Sequence, residues 1–78
     1  MKTIIYSKKI CSYCANAKAL LENYNVDYEE IIIGEDITRE NFINTFPNIK
    51  SVPFIIIDDV RIGGFSELKE WVFQNYNM

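Results

Sequence analysis

A chain of 78 residues whose two cysteines stand three positions apart cannot be stapled together by them. A bridge between Cys11 and Cys14 would close too short a loop to restrain the unfolded chain much. Domains of this size often need such help, because a short chain buries a small share of its surface. The fold must therefore rest on an apolar core. The material is present: 49% of the residues are hydrophobic, with five Phe, five Tyr and a single Trp. The length leaves room for one domain, residues 1–78, and the cysteines need a reason other than stability.

Charge and composition exclude several function classes. The net charge of −3 is spread over mixed signs, and a nucleic-acid binder would present a basic face. There is no histidine, which removes imidazole catalysis and His-based metal sites. The apolar run at residues 1–6 is too short for a signal peptide, and Lys8 and Lys9 interrupt it. Nothing approaches the roughly 18 apolar residues of a membrane span. The expectation is a cytoplasmic protein that engages neither membrane nor nucleic acid. In that reducing compartment a close cysteine pair is catalytic or metal-binding more often than structural.

The pattern along the chain alternates strands and helices. Residues 3–6 are β-branched and aromatic and read as a strand, followed by a loop over 7–10. Helix formers fill 11–24, with Cys14, Ala17, Leu21 and Tyr24 on one apolar face and Asn25 as the stop. A second strand covers 28–33, where Ile31, Ile32 and Ile33 suggest burial on both faces. A strand, a helix and a strand in succession form a right-handed unit with parallel strands. A second helix is expected over about 38–46, with Phe42, Ile43 and Phe46 inward and Pro47 closing it. Strands at 54–57 and 60–62 flank an Asp58-Asp59 turn. Ser66 is placed to cap a last helix reaching about Tyr76, with Leu68, Trp71, Val72 and Tyr76 inward and Glu67 and Glu70 in its first turn. The order βαβαββα describes an α/β protein with a four-stranded mixed sheet flanked by helices.

Cys11-Ser12-Tyr13-Cys14 sits where the first strand gives way to the first helix. A Cys-x-x-Cys pair at that place reads as a redox motif. The first turn of a helix has free backbone N–H groups and a partial positive charge. A Cys11 thiolate would accept those hydrogen bonds, which favours the attacking form, and Lys8 and Lys9 add positive charge nearby. Cys14, one turn later, can attack a mixed disulfide formed at Cys11. Cys11 is thus the nucleophile and Cys14 the resolving thiol. Two other readings stand beside this one. The pair could be half of a zinc ribbon, but no second pair exists to complete it and no metal site is expected. Two inert core cysteines would suit Cys14 and not Cys11.

Four segments together resemble the glutaredoxins: Ile5-Tyr6-Ser7-Lys8 leading into the cysteine motif, Ala17-Lys18-Ala19-Leu20-Leu21, Ser51-Val52-Pro53-Phe54-Ile55, and Ile62-Gly63-Gly64-Phe65-Ser66-Glu67-Leu68. The resemblance spans nearly the whole chain. It implies a thioredoxin-like fold in which Pro53 follows a cis peptide bond and faces the cysteines. Such a bend leaves the Val52 backbone free to pair with an extended substrate. Read from the residues alone, Pro53 would equally suit the start of a strand.

The resemblance also implies glutathione as cosubstrate, with no tightly bound cofactor. Lys8 would meet its glycine carboxylate, Tyr13 its sulfur end, and Val52 its cysteine backbone. Gly64, Phe65 and Ser66 would hold the γ-glutamyl carboxylate at the start of the last helix, where backbone donors favour an anion. Each piece has a plainer alternative: solvated charge at Lys8, a surface aromatic at Tyr13, a simple turn at Gly63-Gly64. Lys50, and more weakly Arg39, are further candidates for a carboxylate contact. The partners implied are disulfide-containing or glutathionylated proteins, ribonucleotide reductase among them, acted on by a monomer.

Two features depart from the commonest family pattern. Ser12 stands where Pro is usual, and Ser66 where many relatives carry Asp. Some glutaredoxins with Ser at the first of these positions resemble carriers in which two subunits and two glutathiones share a [2Fe–2S] cluster. That dimer is one alternative function. A glutaredoxin-like redoxin reduced by thioredoxin reductase is another.

Overall fold

The computed structural model describes residues 2–76. Met1, Asn77 and Met78, the ends of the expected domain, lie outside the described residues. Seven elements follow in order: β1 (Thr3–Ser7), α1 (Ser12–Asn23), β2 (Glu29–Ile32), α2 (Arg39–Thr45), β3 (Phe54–Ile57), β4 (Val60–Gly63) and α3 (Phe65–Tyr76). The strands form one sheet in the order β2-β1-β3-β4. β1 runs parallel to β2, with Tyr6 opposite Ile31, and antiparallel to β3, with Ile5 opposite Ile55. β3 and β4 are antiparallel, with a bulge between Ile55 and Ile56. This is the expected thioredoxin-like arrangement.

Alternation along β1 sends its side chains to two cores. Thr3, Ile5 and Ser7 are buried on one side, where Ile5 joins Ala17 and Leu21 of α1 and Leu68 and Val72 of α3. Tyr6 faces the other side and packs with Phe42, Phe46 and Phe54 beneath α2. Ring centroids there lie 5.3 Å apart for Tyr6–Phe42 and 5.1 Å for Phe46–Phe54, inside the favourable range for tilted aromatic pairs. Ile5, Leu21, Ile55 and Leu68 are fully enclosed. Each such side chain contributes about 1.5–3 kcal/mol of burial. That is how the chain holds together without a useful staple.

Local signals explain where the elements stop. α1 is stopped two residues past its end by Asn25, whose φ of 57° is left-handed. The Asn25 N–H donates to the Glu22 carbonyl at 3.1 Å and the Val26 N–H to the Leu21 carbonyl at 2.9 Å. This is the paired closure of a Schellman motif, and Val26 joins Leu21 in the core. Thr38 caps α2 by accepting from the Asn41 N–H at 3.0 Å. Asp58 and Asp59, at φ 51° and 67°, provide the two left-handed residues of a tight hairpin.

Several expectations need correction. Ser7 belongs to β1 and not to the loop, while Tyr28 precedes β2. Ile31, Ile32 and Ile33 are half-buried, because β2 is an edge strand, and Ile33, just past its end, packs against the Phe42 cluster. Ile43 faces outward at 44% exposure. Tyr24 also leaves the buried face of α1 and packs against Tyr76, itself exposed. α3 begins at Phe65, so Ser66 is inside the helix and cannot cap it, and Glu70 lies past the first turn.

Candidate functional site

The geometry of the cysteine pair follows from the end of β1. Residues 8–10 leave the sheet exposed, and Cys11 takes an extended φ of −160° as the N-cap of α1. Its Sγ accepts a hydrogen bond from the Cys14 backbone N–H at 3.2 Å. The two sulfurs are joined in a disulfide with Cα atoms 5.2 Å apart. Cys14 is 1% exposed, whereas Cys11 is partly open to solvent. One sulfur is thus reachable from outside and the other is shielded behind it.

The peptide bond between Val52 and Pro53 is cis, as the sequence resemblance implies. Cys11 Sγ stands 4.0 Å from the Val52 carbonyl oxygen. Val52 precedes β3 and stands outside its ladder, while Pro53 is buried. A side chain added at Gly64 would lie 3.6 Å from the Pro53 carbonyl, so the β4–α3 turn passes close to this bend. Tyr13 is 65% exposed and its ring centroid lies 6.1 Å from that of Phe65. Ser66 is exposed beside Phe65.

Lys8 and Val52 border a groove of about 790 Å³ that extends toward α2. Arg39 and Lys50 line the same groove. Among the sequence candidates, Val52 thus stands beside the disulfide and shares a groove with Lys8, Pro53 lies against Gly64, and Tyr13 is near Phe65.

Sequence reasoning assigned Glu67 only a general electrostatic part. Its carboxylate accepts from the Gly64 N–H at 2.9 Å and closes the front of α3. The spacing from Gly64 to Glu67 is that of a capping box with glycine at its first position, which was the available signal.

Displaced titration occurs elsewhere. The Glu30 carboxyl is held below its ordinary range by a hydrogen bond from Ser7, then by Lys18, against the opposing effect of burial. Tyr28 is pushed up to about 12 by burial, then by its hydrogen bond to Glu22 and the nearby carboxylates. Among the described residues, no group of three or more Cys, Asp or Glu side chains gathers into a metal site. No helix among them is long and apolar enough to cross a membrane.

The glutaredoxin family model matches residues 3–62. The chain belongs to the glutaredoxin family. Its Cys-x-x-Cys disulfide places it among the dithiol members of a family of thiol–disulfide oxidoreductases. It is 43% identical over 67 residues to a glutaredoxin 1 of Rickettsia felis, an alignment covering 83% of this chain and 66% of the relative. The match thus spans just under two thirds of that relative's length. Glutaredoxin 1 from Francisella tularensis is 36% identical with a TM-score of 0.85, covering 99% of this chain and 98% of that one. A buckwheat glutaredoxin, 24% identical, shares the fold with a TM-score of 0.73, covering 87% of this chain and 64% of that one.

Proposed function

We propose that this glutaredoxin reduces protein disulfides and glutathione mixed disulfides, with glutathione as the reductant. The observation that carries the reading is the position of Cys11 Sγ, which receives the Cys14 N–H at 3.2 Å at the head of α1 and faces the Val52 carbonyl at 4.0 Å. In the reduced chain the same N–H and the helix dipole favour a Cys11 thiolate. The buckwheat glutaredoxin was solved as a complex with glutathione, which supports glutathione as the small thiol.

The reaction divides into two exchanges. The Cys11 thiolate attacks one sulfur of a client disulfide; that bond breaks, and the other client sulfur departs as a thiolate. Cys14 then attacks the Cys11 sulfur and releases the client as a dithiol, leaving the Cys11–Cys14 disulfide. Two glutathione molecules reduce this disulfide and leave as glutathione disulfide. With a glutathionylated client, Cys11 takes the glutathione and a second glutathione frees it, so Cys14 is not required.

Lys8 is positioned for the glycine carboxylate of glutathione, and Tyr13 for its sulfur end. Val52 offers backbone groups to its cysteine beside Pro53. The amides of Gly64, Phe65 and Ser66 suit the γ-glutamyl end. With Glu67 already on the Gly64 amide, the Phe65 and Ser66 N–H groups are the donors left for a carboxylate. The reading extends to a single cytoplasmic domain acting as a monomer.

Turnover of a glutathionylated substrate with glutathione and glutathione reductase tests this. Cys11→Ser is expected to abolish it and Cys14→Ser to leave much of it. Loss with Cys14→Ser alone would reverse the roles. Turnover supported only by thioredoxin reductase would replace glutathione as the reductant.

A further inference from the structure

We propose that the solvent side of the seam between α1 and α3 docks the chain that flanks a client's cysteine, through one large apolar side chain and one carboxylate. The proposal rests on the disulfide reduction proposed above and names the part of the client that this protein reads.

The carrying observation is a line of apolar side chains that starts at the disulfide and leads away from it. Both helices begin there: α1 at Ser12, directly after Cys11, and α3 at Phe65, beyond the Gly64 turn that passes Pro53. They lie on one side of the sheet, packed around Ile5. They also run in the same direction, because aromatic pairs join them at matching positions. Tyr13 meets Phe65 at 6.1 Å near the cysteines, and Tyr24 meets Tyr76 at 5.7 Å at the far end. Between the pairs lies a groove of about 270 Å³ lined by Leu20, Tyr24, Lys69, Val72 and Phe73. Lys69 Nζ sits 5.4 Å from the centre of the Phe65 ring, which joins the groove to the aromatic pair at the disulfide.

Phe73 is the residue that the fold does not use. Leu68 and Val72 of the same helix turn into the core, while Phe73 is 59% exposed. One exposed aromatic needs no explanation. Phe73 and Tyr24, however, line one groove, and Tyr24 continues into the exposed Tyr76. A continuous apolar patch of this kind marks a surface that another molecule covers. The glutathione contacts proposed above stop at the first turn of α3 and use none of these residues.

Charge and position decide the occupant. Lys69 is the only charged residue that lines the groove, and the one ion pair among the described residues joins Lys18 to Glu30 instead. A second copy related by a two-fold axis would set this patch against itself. Lys69 would then face Lys69, with no carboxylate lining either groove to offset them, and facing like charges disfavour a complex. A client, by contrast, must bring its cysteine to Cys11 in every turnover, and the chain beside that cysteine arrives at the mouth of the seam. At 1.5 Å per helical residue the groove lies roughly 10–15 Å from the helix heads. An extended chain covers that distance in about four residues. There a large apolar side chain would rest on Leu20 and Phe73, and a neighbouring carboxylate would meet Lys69.

Three peptides test the proposal. Each has one intramolecular disulfide and carries at both ends a four-residue Gly-Ser spacer followed by Phe-Glu-Leu, Phe-Lys-Leu or Ser-Gln-Ser. The full reduced protein is mixed with each in the absence of glutathione, and single-turnover reduction is timed. At low salt the Phe-Glu-Leu peptide is expected to react about tenfold faster than the Ser-Gln-Ser peptide, with Phe-Lys-Leu between them. That ratio should fall toward one in Phe73→Ser and persist in Val60→Ser, which removes an exposed apolar side chain outside the seam. In Lys69→Glu the order of the Glu and Lys peptides should reverse. Equal rates for Phe-Glu-Leu and Ser-Gln-Ser in the unaltered protein, or a ratio that survives Phe73→Ser, would overturn the proposal. So would a dimer in sedimentation equilibrium that Phe73→Ser dissociates, which would give the seam to a second copy. If Phe73→Ser does not fold, the Lys69→Glu reversal decides, since Lys69 is exposed. With no glutathione present, an error in the choice of reductant leaves these ratios untouched. Failure of disulfide reduction itself would leave all three peptides oxidised, and the proposal would fall with it.

Discussion

The backbone amide of Gly64 donates to the Glu67 carboxylate at 2.9 Å, so α3 is closed at its front by its own third residue. The acceptor also brings a negative charge to the positive end of the helix. Glu67→Ala is expected to destabilise the fold by about 1 kcal/mol. For a domain of this size that lowers Tm by roughly 4–8 °C. Glu67→Gln keeps an acceptor and should cost less. Thermal unfolding of both, with Ser66→Ala as the comparison, checks this; a larger effect from Ser66→Ala would return the cap to the hydroxyl.

Gly63 supports the same contact from the strand side. Its φ of +119° is one that side chains rarely adopt, and an added Cβ would lie 3.0 Å from Glu67 Cγ. Gly34 has a φ of +99° with nothing within 4 Å of an added Cβ. Gly63→Ala therefore combines backbone strain with displacement of Glu67, while Gly34→Ala has the strain alone. Strain of this kind costs about 1–3 kcal/mol, and Gly63→Ala should exceed Gly34→Ala. Urea titration should also show a smaller penalty for Gly63→Ala in the Glu67→Ala background. Additive penalties would mean that the two residues do not interact.

The legible parts of this protein were those governed by local chemistry. Asn25 stops α1 because a left-handed residue is needed there, and Asp58-Asp59 turns the hairpin for the same reason. The cysteine pair was readable because an N-cap position and a one-turn spacing are local properties. The cis bond at Pro53 was legible only through family resemblance, since a strand-start proline fits the same residues. What depends on position in the sheet was hidden. The isoleucine run of 31–33 suggests two covered faces, yet its strand sits at an edge, which only the order β2-β1-β3-β4 reveals. Ile43 fits the helical period of a core residue, but α2 is seven residues long and rests on Phe42 and Phe46. The gathering of Lys8, Arg39 and Lys50 joins a loop, a helix and the approach to β3, and no spacing in the sequence shows that.

The two cysteines should differ sharply in reactivity. Cys11 is at a helix head and partly open, while Cys14 is 1% exposed. In the reduced chain at neutral pH, iodoacetamide is expected to label Cys11 faster by roughly tenfold or more. Peptide mapping by mass spectrometry identifies the modified residue. Labelling of Cys14 first would contradict the assignment of Cys11 as nucleophile.

Glu30 gives the fold an acid-sensitive tie close to the disulfide's supports. Its Oε2 accepts from Ser7 Oγ at 2.6 Å and meets Lys18 Nζ at 2.9 Å. Ser7 is the last residue of β1, just before the loop to Cys11, and Lys18 lies one turn beyond Cys14 on α1. One carboxylate thus joins β2 to both elements that deliver the cysteines. Its folded-state titration is lowered, first by the Ser7 hydrogen bond and then by Lys18. A group with a depressed folded pKa contributes stability above its unfolded value, near 4.3, and loses it as pH falls through the folded value. Unfolding free energy should therefore decline as pH drops below about 4.3. Glu30→Gln should be less stable than the unaltered chain at neutral pH, with a shallower acid decline, so that the two curves approach each other at low pH. Ser7→Ala should flatten the decline more than Lys18→Gln, because the Ser7 hydrogen bond is the larger cause. Urea unfolding at a series of pH values measures all four curves. Parallel curves for Glu30→Gln and the unaltered chain would mean that this carboxylate titrates alike in the folded and unfolded states, and that the tie holds the elements by packing alone.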